Sequence, residues 1–295
     1  MTARLIDGNV VAEAIRCDLR EKVSKLASKG VRPGLAVIIV GEDPASQTYV
    51  RMKEKECSDL GILSRTIRLP TDTREEELLS IIDDLNIDDE VHAMLVQMPL
   101  PKQIDPQKVI MRIAPEKDAD GFHPVNVGKM LIGDRSGFLP CTPHGIQVMM
   151  ERSGVMTEGR HVVICGRSNI VGKPMAALLM QKGKGADATV TVCHSRTRDL
   201  AHHTRQADIL IVAMGVPGFI KQDMVKEGAV VIDVGMNRVE DPTSKKGYRL
   251  VGDVDFEEVS KKASAITPVP GGVGLMTRVL LMENTIKAAE NSLAK

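Results

Sequence analysis

Tyr49 and Lys53 stand four residues apart in a segment that reads as a helix, so both project from one helical face. A lysine held in a semi-apolar crevice binds its proton less tightly and becomes a base or proton donor near neutral pH. Tyrosine occurs only at 49 and 248, which sets this pair apart from ordinary surface decoration. Gln97, Pro99 and Leu100 belong to the turn Gln97-Met-Pro-Leu-Pro101, which follows an apolar run. In an open α/β sheet, that carboxyl end of a strand is where ligands gather.

A second group of residues suits a phosphate. The strand His161–Cys165 runs straight into Gly166-Arg-Ser-Asn-Ile-Val-Gly172 and then a helix, setting glycines and main-chain N–H groups at a helix N-terminus. The spelling, with Ser168 where a second glycine is usual, is by itself equally that of a structural turn. The strand–loop–helix–strand setting is what favours a nicotinamide dinucleotide. The next strand ends Cys193-His-Ser-Arg-Thr-Arg198, with no carboxylate before Asp199 to grip a ribose 2′-hydroxyl. Arg167, Ser195 and Arg196 instead suit a 2′-phosphate, which predicts NADP over NAD; the alternative is that Arg196 and Arg198 form a solvated helix start. Gly215, in Ala213–Pro217, and Gly235 and Met236, in Asp233–Asn237, close two further strands on the same edge, either beside the nicotinamide or as ordinary turn residues.

Strands of about six residues alternating with longer helices must position these groups. Helical spacing runs from Val10 to Leu26 and stops at Gly30. Strands are expected at Leu35–Val40, Ser64–Leu69 and Val91–Val96, with helices from the turn at 41–46 to Gly61, over Thr73–Leu85 and over Asp105–Ile113. The Gly- and Pro-marked stretch from Asp120 to Pro143 reads as a crossing between domains. The pattern restarts with strands His161–Cys165, Ala188–Cys193, Ile209–Ala213 and Val230–Val234, helices Val171–Gln181 and Leu200–Gln206, and a closing helix Met276–Leu293 after the turn Thr267–Gly274. The fold class is therefore α/β: an N-terminal αβ catalytic domain and a C-terminal Rossmann-like NADP-binding domain with a cleft between them. The expected division is 1–142 plus 276–295 against 143–275.

Composition narrows the partners. The 295 residues hold 39 Lys plus Arg and 39 Asp plus Glu, so no net field draws nucleic acid or an anionic membrane. Five widely spaced cysteines without a C-x-x-C pair predict buried free thiols, no zinc site and a reducing cytoplasm. His202-His203 reads as solvated surface rather than a metal site, because adjacent helical residues do not face each other. No signal peptide and no uncharged stretch of about 20 residues is present, so neither export nor a membrane span is expected.

With these motifs in view, the sequence resembles the bifunctional methylenetetrahydrofolate dehydrogenase/methenyltetrahydrofolate cyclohydrolase family of the bacterial FolD type over essentially its whole length. The stretches that carry the resemblance are Val40–Val50 with Lys53, Val96–Pro101, Pro115–Gly121, Pro140–Pro143, Gly166–Ser168 and Thr267–Gly274. It implies NADP-dependent oxidation of 5,10-methylenetetrahydrofolate and hydrolysis of the methenyl product to 10-formyltetrahydrofolate, in a homodimer. By resemblance Lys53 is the catalytic lysine, Tyr49 orients the folate, Gln97 tunes the lysine and Asp120 holds the pterin. Pro270, Gly271, Gly272 and Val273 would border the folate, with Thr277 near the cofactor. Leu275 and Arg278 depart from the family's usual proline and small apolar residue. Three other readings stand beside this one: a dehydrogenase without hydrolysis, a non-catalytic folate-binding protein on the same scaffold, and an unrelated hydroxy- or amino-acid dehydrogenase sharing the second domain.

Overall fold

The computed structural model describes residues 2–244 and 247–293. In chain order the elements are β1 (Arg4–Leu5), α1 (Gly8–Ala27), β2 (Gly34–Val40), α2 (Pro44–Leu60), β3 (Leu63–Leu69), α3 (Glu75–Ile87), β4 (Ala93–Val96), α4 (Pro106–Arg112), α5 (Pro124–Leu131), α6 (Cys141–Arg152) and β5 (His161–Cys165). They continue with α7 (Gly172–Leu179), β6 (Thr189–Cys193), α8 (Leu200–Thr204), β7 (Ile209–Val212), β8 (Val230–Asp233), β9 (Asn237–Glu240), β10 (Tyr248–Val251), α9 (Phe256–Val259), β11 (Ala265–Ile266) and α10 (Val273–Ser292). Two compact units result, one from residues 14–141 and 278 onward, the other from the N-terminal residues through 13 and 142–277.

In the first unit, the parallel order β3-β2-β4 makes β2 the central strand, and all seven of its residues are buried. An unbroken apolar run is what a parallel strand covered on both faces requires. α2 starts because the Asp43 carboxylate accepts the Ser46 N–H at 2.7 Å and Pro44 occupies the first turn; it stops at Gly61, whose φ of 76° is left-handed. Residues 117–119 run beside β4, with the Met94 N–H donating to the Lys117 carbonyl and the Ala119 N–H to that of Met94. This brings Asp120 level with the carboxyl end of β4. From α10, the Asn284 amide donates to the carbonyls of Ala119 at 2.9 Å and Leu139 at 3.0 Å, pinning the segment from its other side.

The second unit has a parallel sheet of order β1-β11-β8-β7-β5-β6 and an antiparallel pair, β9 with β10. Residues 2–13, expected with the folate-binding half, belong here: β1 pairs with β11, and the Gly8 N–H donates to the Gly271 carbonyl at 2.9 Å. A two-residue strand has no periodicity by which sequence could reveal it. The expected crossing at 120–143 contains α5, capped by the His123 ring accepting from the Val125 N–H, and the first turn of α6. The closing helix begins at Val273, inside the stretch read as a turn.

Candidate functional site

α2 turns a stripe of residues inward, Ser46, Val50, Lys53, Glu56, Cys57 and Leu60. Lys53, 9% exposed, donates from Nζ to Gln97 Oε1 at 3.0 Å. The Gln97 amide nitrogen donates to the Met98 carbonyl at 2.9 Å, which fixes the amide's orientation and leaves its oxygen for the lysine. Burial pulls the Lys53 pKa below the usual lysine range, against the opposing pull of Asp120, Cys141 and Cys57. The Asp120 carboxyl is pushed upward by desolvation, with Lys53 pulling it down and Asp118 adding to the rise. Asp120 keeps some contact with solvent, which moderates that rise. Burial thus draws both the lysine and the aspartate toward their neutral forms.

The aspartate's setting is apolar, with Met94, Val96, Val109, Ile113 and Phe122 around a small cavity. Its loop is held by Asp118, a buried residue that sequence reasoning passed over. The Asp118 carboxylate accepts from the Gly121 N–H at 3.1 Å, the His123 N–H at 2.8 Å and the Asn126 amide at 2.9 Å. Gly121, with φ of 72°, is required because a Cβ would lie 2.6 Å from the Leu139 carbonyl carbon. The only signal in the sequence was the pair of aspartates around Ala119. Tyr49, one turn before Lys53, is 38% exposed; Pro99 is exposed and Leu100 half-buried beyond Gln97.

Arg278 has a structural partner. The buried Glu56 carboxylate meets Arg16 Nε at 2.7 Å and Arg278 Nη1 at 3.7 Å. The arginine stands beside a buried carboxylate, three residues past Lys53, that needs compensation. Leu275 is half-buried in the first turn of α10, and its N–H donates to the Gly272 carbonyl at 3.3 Å.

All expected cofactor residues fall in the second unit, as do Pro270, Gly271, Gly272 and Val273, whereas Tyr49, Lys53, Gln97, Pro99, Leu100 and Asp120 fall in the first. Gly166 has φ of 136°, and a Cβ on it would sit 2.3 Å from the Ala213 carbonyl oxygen; one on Gly172 would sit 2.1 Å from that of Gly166. This close-packed main chain at the start of α7 is a cradle that only glycine permits. Ser168 Oγ accepts from the Val171 N–H at 3.1 Å and the Gly172 N–H at 3.5 Å, so it also caps that turn. Gly166, Arg167, His194, Ser195, Ala213 and Met214 line one depression with no carboxylate on its wall, a donor set that fits a phosphorylated ribose. Arg167, Ser195, Arg196 and Gly215 are exposed, Gly235 is buried and Met236 is 42% exposed. Thr277 Oγ1 shares a hydrogen bond of 2.8 Å with Thr142 Oγ1.

Among the described residues, no cluster of three or more His, Cys, Asp or Glu could hold a metal ion, and no helix is long and apolar enough to cross a membrane. Cys57, Cys141, Cys165 and Cys193 are free and buried, and Cys17 is free and exposed.

The family profile described as the tetrahydrofolate dehydrogenase/cyclohydrolase catalytic domain matches residues 6–120, and that of the family's NAD(P)-binding domain matches residues 140–293. The bifunctional protein FolD of Geotalea uraniireducens is 55% identical over 288 residues, covering 98% of this chain and 99% of its own. The crystal structure of the bifunctional FolD enzyme of Campylobacter jejuni superposes with a TM-score of 0.93 at 50% identity, over 98% of this chain and 99% of that one. The Trypanosoma brucei FolD structure, complexed with NADP cofactor and an inhibitor, gives 0.94 at 43% identity with 100% of both chains covered. From its two domain matches and its identity to these relatives over nearly its full length, this chain belongs to the tetrahydrofolate dehydrogenase/cyclohydrolase family.

Proposed function

We propose that this chain is a bifunctional enzyme that oxidises 5,10-methylenetetrahydrofolate to 5,10-methenyltetrahydrofolate with NADP, and hydrolyses the methenyl compound to 10-formyltetrahydrofolate. The observation that carries the reading is the buried Lys53–Gln97 hydrogen bond with Asp120 as the lysine's carboxylate neighbour. Bound NADP supplies the hydride acceptor. Expulsion of hydride is driven by a nitrogen lone pair of the substrate, so the protein's task in that step is to orient the folate. Tyr49 and Lys53, on one helical face, are assigned to that orientation, with Asp120 accepting two parallel N–H bonds from the pterin's amino-pyrimidine edge. Pro99 and Leu100 supply main chain and apolar surface for the same ligand.

Hydrolysis needs a proton moved during attack of water on the methenyl carbon. Lys53 is the group for it, because burial lowers its affinity for a proton while Gln97 Oε1 holds Nζ in place. Gly166, Arg167, Ser168, Ser195, Arg196, Gly215, Gly235, Met236 and Thr277 are assigned to the dinucleotide, the arginines and Ser195 giving the preference for its 2′-phosphate. A homodimer in the cytoplasm is part of the same proposal, and sedimentation of the purified protein and cell fractionation check it.

The deciding assay supplies methylenetetrahydrofolate with NADP and, separately, with NAD, and follows reduced cofactor and methenyl product together. NADP reduction without methenyl accumulation supports both activities. Reduction with stoichiometric, lasting methenyl leaves a dehydrogenase alone, and reduction of neither cofactor removes the enzymatic reading.

A further inference from the structure

The loops that follow β7 and β8 contain the assigned dinucleotide residues Gly215, Gly235 and Met236, and they share an anchor. Asp253, 0% exposed, accepts through Oδ2 from the Met214 N–H at 2.6 Å and the Gly215 N–H at 2.8 Å. Through Oδ1 it accepts from the Asn237 side-chain amide at 2.8 Å, at the start of β9. Its own N–H donates to Asp233 Oδ1 at 3.0 Å, and Asp233 also accepts from the N–H groups of Gly235 and Val254, each at 2.9 Å. Three loops of the second unit are therefore tied through two adjoining buried carboxylates.

The packing admits little else. A Cβ on Gly235 would lie 2.4 Å from Asp253 Oδ1, and one on Gly252 would lie 1.8 Å from Asp233 Oδ2. All three groups pointing at the Asp253 carboxylate are donors, and an ionised carboxylate is the acceptor-only group that satisfies them together. Removing this acceptor leaves the part-buried Met214 and Gly215 N–H groups without their partner and frees the loop to take another conformation.

We infer that Asp253 is a positioning residue for the dinucleotide: by taking the N–H groups of Met214 and Gly215 it turns them away from the ligand and sets the loop that meets it. The loop then meets the cofactor through the exposed surface of Gly215 rather than through those two amides. Asp253 touches no ligand itself, since it has no exposed surface. The inference rests on the proposed NADP reading of this unit.

The test combines direct titration with NADPH and steady-state kinetics of both reactions, on wild type, Asp253→Ala and Asp253→Asn. Methenyl hydrolysis consumes no dinucleotide and reports whether the folate site is intact. In Asp253→Asn the amide oxygen keeps both main-chain donors and Asn237 can turn its own oxygen to the new NH2, so the charge goes but the pattern survives. Asp253→Ala is expected to raise the NADP KM and NADPH Kd about tenfold or more, with methenyl hydrolysis within twofold of wild type. Asp253→Asn is expected to recover most of that loss, leaving about a threefold rise.

An unchanged NADP KM in folded Asp253→Ala, or hydrolysis falling in parallel with NADP affinity, overturns the inference. If the alanine variant does not fold, the asparagine variant decides, and an NADP KM equal to wild type counts against the role. Wild type that binds no NADPH overturns the underlying dinucleotide reading first and this inference with it, a result distinct from any failure of the variants.

Discussion

Around Lys53 the anchoring is done by side chains withdrawn from water: Nζ is held by Gln97, the Asp120 loop by Asp118 and Glu56 by two arginines. At the carboxyl ends of β5 to β8 the arrangement is reversed. The charged groups assigned to the ligand are exposed there, and what is buried and rigid is main chain, packed against glycine or tied to Asp233 and Asp253. The difference follows from the two tasks. Moving a proton requires a shifted affinity, which burial supplies. Holding a long polar dinucleotide requires a surface of the right shape with mobile cations over its phosphates, which desolvation would hinder. The two activities should accordingly be separable by substitution.

The largest effect is expected from Lys53→Met, which removes the proposed proton carrier but not the dinucleotide surface. Hydrolysis should fall by about 10²–10⁴-fold, and methenyl absorbance should build up during NADP reduction. Equal loss of both reactions would end the division of labour drawn above. The converse is Gly166→Ala, where a side chain at φ of 136° would also meet the Ala213 carbonyl oxygen at 2.3 Å. Strain of about 1–3 kcal/mol should appear as an NADP KM about tenfold or more above wild type, with hydrolysis of supplied methenyltetrahydrofolate kept.

Smaller effects sharpen the contrast between buried charges. Arg278→Val leaves Glu56 paired with Arg16, and because both arginines reach solvent the cost should be only about 1–2 kcal/mol in denaturant unfolding. Adding Glu56→Ala to Arg278→Val should cost less than the sum of the single changes, and strict additivity would show that the 3.7 Å approach carries no energy.

Asp233 gives a pH signature. Burial raises its pKa to about 6 against an ordinary 3.8, so the folded chain takes up this proton before the unfolded chain does. Its contribution to stability therefore grows as pH falls through 6 toward 3.8. The stability gap between wild type and Asp233→Ala should widen by about 1 kcal/mol from pH 7 to pH 5, measured by chemical denaturation at both values. A gap that narrows on acidification would reverse the assignment of desolvation as the dominant influence.

Much of this molecule is local in origin and so was determined by sequence alone. The apolar run of β2, the Asp43-Pro44 start and Gly61 stop of α2, the loop from Gly166 to Gly172 and the carboxylate-free end of β6 all rest on side chains within a few residues of one another. Such signals survive without knowledge of the rest of the chain. The helix face shared by Tyr49 and Lys53 was likewise readable from their spacing. Tertiary structure alone decided the rest. β1 is a strand only because β11 accepts it, and α5 and the β9–β10 pair are short elements with weak periodicity. The affinity of Lys53 for its proton depends on how far α2, β4 and the Asp120 loop exclude water, and Arg278 became intelligible only beside Glu56. Asp233 and Asp253 anchor donors that lie far from them in the chain. Desolvation and long-range hydrogen bonding are properties of the packed molecule, and no window of sequence contains them.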